Sequence, residues 1–69
     1  MKKFYDVHVF YSRKYGFSVF IDIDTENELS DEEVIMTALV RGLISNEDVG
    51  QVDYVVEIDE DEYKTAKGI

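Results

Sequence analysis

Carboxylates at alternating positions are the residues of this chain whose type and spacing suggest chemistry. Five of them match positions 1, 3, 5, 7 and 12 of an EF-hand calcium loop: Asp22, Asp24, Glu26, Glu28 and Glu33. Oxygen ligands at this spacing suit hard cations such as Ca²⁺. However, Asn27 stands where the loop normally has glycine, and Ser30 with Glu33 equally forms a helix capping box. We therefore expect no metal, and keep a Ca²⁺-binding module as an alternative.

The distribution of charge suggests a second kind of site. Fifteen of the sixteen acidic residues lie between Asp22 and Glu62, where Arg41 is the only basic residue, and the net charge is −9. This charge excludes direct binding to nucleic acid or to an anionic membrane, because phosphate binding relies on lysine and arginine. A basic protein, especially one that binds nucleic acid, is the expected partner.

Rows of acids on strands could imitate nucleic acid. Same-face residues two apart on a strand are separated by about 6.6 Å at a rise of roughly 3.3 Å per residue, which is of the order of the spacing between successive phosphates. The residues predicted to make such contacts are Asp22, Asp24, Glu26, Glu28, Asp53, Glu57, Asp59 and Asp61. The alternative is an acidic surface that only keeps a small protein in solution.

Three phenylalanines form a third candidate. Phe4, Phe10 and Phe20 alternate with the expected core residues and so fall on the opposite face of a sheet. An apolar centre with an acidic rim is typical of an interface, either with a foreign partner or with a second copy in a homodimer. The rings could instead only pair with each other across the strands.

Nothing in the sequence predicts an enzyme. There is no cysteine, and His8 is the only histidine, which excludes thiolate sites and a histidine-based metal site within one chain. A serine–histidine–acid set and a glycine-rich phosphate loop are both missing, and we expect no cofactor. With 69 residues and no long apolar run, the chain is expected to be one domain, soluble and cytoplasmic.

The elements that must position these residues follow from apolar periodicity. Residues 4–11 and 17–24 alternate as two strands of a hairpin, and residues 51–59 alternate as a third strand. The capping box predicts a helix over residues 31–45. The polar residues 60–69 are predicted to be a frayed tail.

The order β-β-α-β predicts an α+β fold with a three-stranded antiparallel sheet. A strand order of 2-1-3 lets one helix pack on one face without threading. The core would then contain the odd residues of the first two strands and the even residues of the third, namely Val52, Tyr54, Val56 and Ile58. The outer face would carry the three phenylalanines with His8 and Val55.

Short length, absence of cysteine, strong acidity and this element order together resemble the small inhibitors that phages and other mobile elements use against restriction or CRISPR nucleases. The chain is also similar to accessory proteins of the DpnD/PcfM type in its opening Met1–Phe4 segment, its acidic helix start and the segment around Val55–Glu57. The first resemblance implies a nucleic-acid mimic that works in the cytoplasm of a host cell.

The favoured hypothesis is therefore a non-catalytic acidic protein that occupies the basic, nucleic-acid-binding groove of a partner. The alternatives are an accessory homodimer that uses the outer sheet face and the Ca²⁺-binding module described above.

Overall fold

Three antiparallel strands form a single sheet at the centre of the molecule. In the computed structural model, which describes residues 1–69, they are β1 (Lys2–Ser12), β2 (Tyr15–Asp24) and β3 (Val52–Ile58). The spatial order is β2-β1-β3. The predicted α+β class, antiparallel sheet and strand order are therefore confirmed. β1 lies in the middle, where its alternating aromatic and β-branched residues can contact both neighbours.

The helix α1 (Asp31–Val40) begins at the predicted capping box. The Glu33 backbone N–H donates to Ser30 Oγ at 3.2 Å, and the Ser30 backbone N–H donates to Glu33 Oε1 at 3.1 Å. The helix ends before the predicted residue 45, because Gly42 adopts a left-handed φ of 75°. The following N–H, that of Leu43, donates to Ala38 O at 2.9 Å, which closes a Schellman motif.

The core lies between α1 and one face of the sheet, which we call the inner face. Its fully buried residues are Tyr5, Val7, Val9, Ile21, Val34, Ala38 and Ile44. The odd residues of β1 and β2 thus face the helix, as predicted. Burial of this apolar surface is the main favourable term in folding, and in a chain this short it leaves a small margin.

The prediction for the third strand is mostly wrong. Val55 pairs with Val7 on the inner face, and a β-bulge brings Val52 opposite Val9 on the same face. The bulge leaves one extra residue in β3 and changes the phase of the alternation. Tyr54, Val56 and Ile58 therefore lie on the other face, which we call the outer face.

Two further helices are present: the short α2 (Asn46–Val49) and α3 (Glu60–Lys67). α3 occupies the segment predicted to be a frayed tail. Asp59 caps it by accepting from the Glu62 N–H at 2.8 Å, and Gly68 ends it with a φ of 76°. Tyr63 attaches α3 to the outer face, with its ring centroid 4.8 Å from that of Phe4. None of the helices is long and apolar enough to cross a membrane.

Candidate acidic interface

The strand directions bring most of the predicted acidic residues to one end of the sheet. Because β1 is antiparallel to both neighbours, β2 and β3 finish beside the start of β1, where Asp24 pairs with Lys2 and Ile58 with Phe4. The loop after β2 is held there by the Thr25 N–H, which donates to Met1 O at 2.8 Å. We call this region the acidic end; its predicted residues are Asp22, Asp24, Glu26, Glu28, Glu57, Asp59 and Asp61.

Asp53 is the one predicted acidic contact that lies elsewhere. It occupies the bulged part of β3, next to the residues that pair with His8 and Val9, and so belongs to the half of the sheet nearer the hairpin turn. Two parallel acidic rows, one on each strand, are therefore not formed. Acids from the β2 end, the following loop and the β3–α3 junction instead converge at one end.

Most carboxylates of the molecule are exposed and lack a neighbouring cation. Only Asp22, Asp24 and Glu60 have a positively charged group within 4.0 Å. Asp6 and Asp48 are half-buried, which leaves eleven of the sixteen acids both exposed and unpaired. Such groups are not neutralised within the protein and are available to a cationic partner.

Asp22 is the exception, because it is used to hold the structure together. Lys2 Nζ lies 3.3 Å from its Oδ2, and the Tyr63 hydroxyl donates to its Oδ1 at 3.2 Å. Arg41 Nη1 donates to its backbone oxygen at 2.6 Å. Partial burial opposes ionisation, but the hydrogen bonds from Lys2 and Tyr63 outweigh it and hold the pKa of Asp22 below its ordinary 3.8. This carboxylate therefore ties β2 to α1 and α3 rather than serving as a free contact.

The carboxylates of the possible calcium loop do not form a coordination site, although they lie at the same end of the sheet. Glu33 accepts from the Ser30 N–H in the capping box, and Asp22 is engaged as described above. No group of three acidic or histidine side chains in residues 1–69 is arranged to hold a metal ion. The geometry thus agrees with the capping interpretation of this segment and gives the Ca²⁺ alternative no support.

Tyr5 carries a buried hydroxyl with no hydrogen-bond partner, beside the acidic end. Burial raises the pKa of Tyr5, and the negative charges of Glu57, Glu28 and Glu33 raise it further. Three carboxylates from β3, the loop and α1 thus act on one core hydroxyl. These three acids therefore lie close enough to the Tyr5 hydroxyl to oppose its ionisation.

The three predicted phenylalanines have different environments on the outer face. Phe4 is covered by the Tyr63 ring, and Phe20 is half-buried on the floor of a shallow groove beside α3. Phe10 is 46% exposed. The sequence predicted a helix on one face only, whereas α3 packs on the outer face and covers Phe4.

Two exposed apolar residues of the outer face could not be identified from the sequence. Tyr54 and Val56 are 42% and 47% exposed, whereas Val55, which we placed on this face, points to the core. Their position depends on the bulge, for which the local sequence has no glycine signal. Val55 and Val56 are also chemically identical, so alternation alone could not distinguish them.

The basic residues of the hairpin turn lie at the opposite end of the sheet. Arg13 and Lys14 follow β1, and the distance from Phe4 to Arg13 is about 30 Å at roughly 3.3 Å rise per residue. Lys2, Lys3 and Lys64 lie at the acidic end, and Glu47 and Asp53 lie in the half nearer the turn, so neither end has charges of one sign only. The larger excess of carboxylates is nevertheless at the acidic end, which polarises the molecule along its strands. A partner with a strong field would orient it with the acidic end forward.

The comparisons with known proteins identify no relative. The chain matches no protein-family model, and no curated protein and no solved structure is significantly similar to it. The resemblance to small inhibitors of mobile elements therefore stays a prediction, and the site is described by its geometry alone.

Proposed function

We propose that the chain is a non-catalytic binding protein that inserts its acidic end into a basic groove of another protein and excludes nucleic acid from it. The observation that carries this proposal is the set of exposed, unpaired carboxylates at one end of a polarised molecule. A basic groove offers the complementary potential, and the polarity along the strands favours one orientation of approach.

The contacts assigned to the partner are the acids that have no structural use. Glu26 and Glu28 lie in the loop after β2, and Asp61 lies in the first turn of α3; all three are exposed. Glu57 is exposed at the edge strand β3. The resemblance stated above favours a defence nuclease as the partner, since such enzymes hold nucleic acid in basic grooves.

The test is competition with DNA. The targets are purified nucleases and DNA-binding proteins that have basic clefts. Each is loaded with a short fluorescent DNA duplex, and fluorescence anisotropy measures how much of the duplex the chain displaces. If the carboxylates of the acidic end make the contacts, the affinity should fall as salt rises from about 50 to 200 mM, because salt screens exposed charges.

Matched double variants separate the acidic end from net charge. Glu26→Gln with Glu28→Gln removes two charges from the acidic end, and Glu47→Gln with Asp53→Asn removes two exposed charges from the other half. Exposed ion pairs contribute about 0.2–1 kcal/mol each, so the first variant should bind about 2- to 30-fold more weakly. The second variant should bind within about twofold of the unmodified chain. Equal losses in the two variants, or no displacement from any protein of the panel, would contradict the proposal.

A further inference from the structure

The outer face contains an apolar surface with one carboxylate at its centre. In the sheet register Asp6 lies directly between Phe20 of β2 and Val56 of β3. The next row places His8 between Ser18 and Tyr54. α3 packs on the row of Phe4, and its Thr65 and Ala66 line a groove together with Phe20 of the Asp6 row. On the β3 side of these two rows, Val56 and Tyr54 remain 47% and 42% exposed.

Asp6 is incompletely satisfied in this position. Its Oδ1 is inaccessible to solvent and has no hydrogen-bond partner, and no lysine, arginine or terminal amine lies within 4.0 Å of the carboxylate. The side chain as a whole is half-buried, and its other oxygen, Oδ2, is the one that a donor from outside the chain can reach. A carboxylate with no cation beside it can accept a charge-assisted hydrogen bond from a cationic partner at that accessible oxygen.

The neighbouring His8 does not supply that donor. Its Nδ1 lies 3.0 Å from Ser18 Oγ, and its ring stacks on Tyr54 with a centroid distance of 4.9 Å and an interplanar angle of 13°. His8 is thus held by Ser18 and Tyr54, its two neighbours in the same row of the sheet. A donor for the accessible Oδ2 of Asp6 therefore has to come from outside the chain or from water.

A groove lies beside this row, between Phe20 and the side chains of α3. It has a volume of about 440 Å³, with Phe20 on its floor. Its acidic walls are Asp59, Asp61 and Glu62 at the start of α3, all exposed and without a cation within 4.0 Å. An aromatic floor between carboxylates suits a flat cation, because a guanidinium can stack on a ring and donate in its plane to carboxylate oxygens.

We propose that the outer face docks a basic segment of the partner protein and that this segment places an arginine side chain over Phe20 and against Asp6. The inference rests on the proposed function, since it takes the partner to be basic, and it adds the surface and the side chain that the partner uses. Charge complementarity selects this occupant over a second copy of the chain. A face-to-face homodimer would bring two Asp6 carboxylates together and would join two molecules that each carry a net charge of −9.

The probe is a short acetylated and amidated peptide of alternating leucine and arginine, titrated into the isotopically labelled full chain and followed by amide NMR shifts. We expect shifts centred on Asp6, Phe20 and Tyr54. The same peptide with citrulline in place of arginine keeps the shape and loses the charge, and should bind at least about tenfold more weakly.

Two variants test the assigned carboxylate. Asp6→Asn removes the charge, and Val56→Arg places a cation of the chain itself next to Asp6. Each variant should lower the affinity for the arginine peptide at least about tenfold. The matched control is Val40→Arg, which adds the same charge at an 82% exposed position of α1 and should change binding less than about threefold. Amide dispersion in the same spectra verifies that each variant is folded.

Three results would overturn the inference. In the first, the peptide binds but shifts only the amides of the loop after β2, and Asp6→Asn binds the peptide as tightly as the unmodified chain does. The outer face is then not the docking surface, while the proposed function stands. In the second, the citrulline peptide binds as tightly as the arginine peptide, which means that binding does not use the positive charge of arginine. In the third, light scattering gives twice the 8.0 kDa mass and the outer-face amides change with protein concentration, which assigns the face to a second copy.

Discussion

The attachment of α3 to the sheet by Tyr63 is the part of the structure that a single substitution tests most directly. The Tyr63 side chain is half-buried, its ring packs against Phe4, and its hydroxyl donates to Asp22. Truncation of a fully buried large aromatic residue to alanine costs about 3–5 kcal/mol, so half-burial implies about 2 kcal/mol. The hydrogen bond adds about 1 kcal/mol. We therefore expect Tyr63→Ala to destabilise the fold by about 3 kcal/mol.

Tyr63→Phe separates these two contributions. It keeps the ring on Phe4 and loses only the hydroxyl, while Asp22 keeps Lys2 and Arg41, so the expected loss is about 1 kcal/mol or less. In a chain of this length 1 kcal/mol lowers Tm by roughly 4–8 °C. Thermal and urea unfolding followed by circular dichroism would measure both variants, and amide exchange of residues 60–69 would report α3 directly.

A matched control is Tyr15→Ala in the hairpin, where the side chain is 59% exposed and the expected loss is below about 1 kcal/mol. The reasoning would be refuted if Tyr63→Ala were as stable as Tyr63→Phe, or if the amides of α3 exchanged equally fast in the unmodified chain and in Tyr63→Ala. Either result would mean that the ring does not dock the helix and that residues 60–69 fray, as the sequence alone predicts.

Two other predictions follow from the register and from the titrating groups. Val55→Ala should cost about 1–2 kcal/mol, because Val55 packs on the core, whereas Val56→Ala should cost less than about 0.5 kcal/mol; equal losses in urea unfolding would contradict the bulged register. The Tyr11 hydroxyl donates to Asp48, and this hydrogen bond raises the pKa of Tyr11 from 10.0 to about 12. Asp48 accepts from the Ser45 backbone and from Tyr11, which lowers its pKa below 3.8. Stability should therefore fall as the pH rises from 10 towards 12, where Tyr11 loses its proton. Stability should also fall as the pH drops below about 3.8, through the lowered pKa of Asp48 in the folded state. Tyr11→Phe should flatten the alkaline part of a plot of Tm against pH, and an unchanged slope would assign that loss to other groups.

The sheet and the first helix could be predicted because their signals are local and redundant. Alternation over 4–11 and 17–24, a turn containing Gly16, and the pair Ser30 and Glu33 each indicate the same arrangement. The strand order was then predicted because 2-1-3 lets the helix pack on one face without threading. The charge pattern likewise predicted an acidic surface, although not that strand direction would gather its residues at one end.

The misplaced parts depend on interactions that the chain makes over long distances. The bulge in β3 is set by pairing with His8 and Val9, more than forty residues away in sequence, and it decides which of two adjacent valines is buried. α3 is polar, and one aromatic contact holds it to the sheet. Its signals, Asp59 three residues before Glu62 and Gly68 at the end, are ordinary capping signals in a segment whose composition is typical of a tail.

The acids of this chain divide into two groups according to what their oxygens already accept. Glu33, Asp48 and Asp59 accept backbone N–H groups at helix starts, so neutralising any of them would loosen a helix as well as remove a charge. Glu26 and Glu28 make no hydrogen bond with their side chains and have no cation nearby. A loss of binding on changing these two residues can therefore be assigned to the partner contact itself. A scan that treated all sixteen acids alike would confuse loss of binding with loss of fold, because two of the capping acids, Glu33 and Asp59, lie in the same region as the free acids of the acidic end.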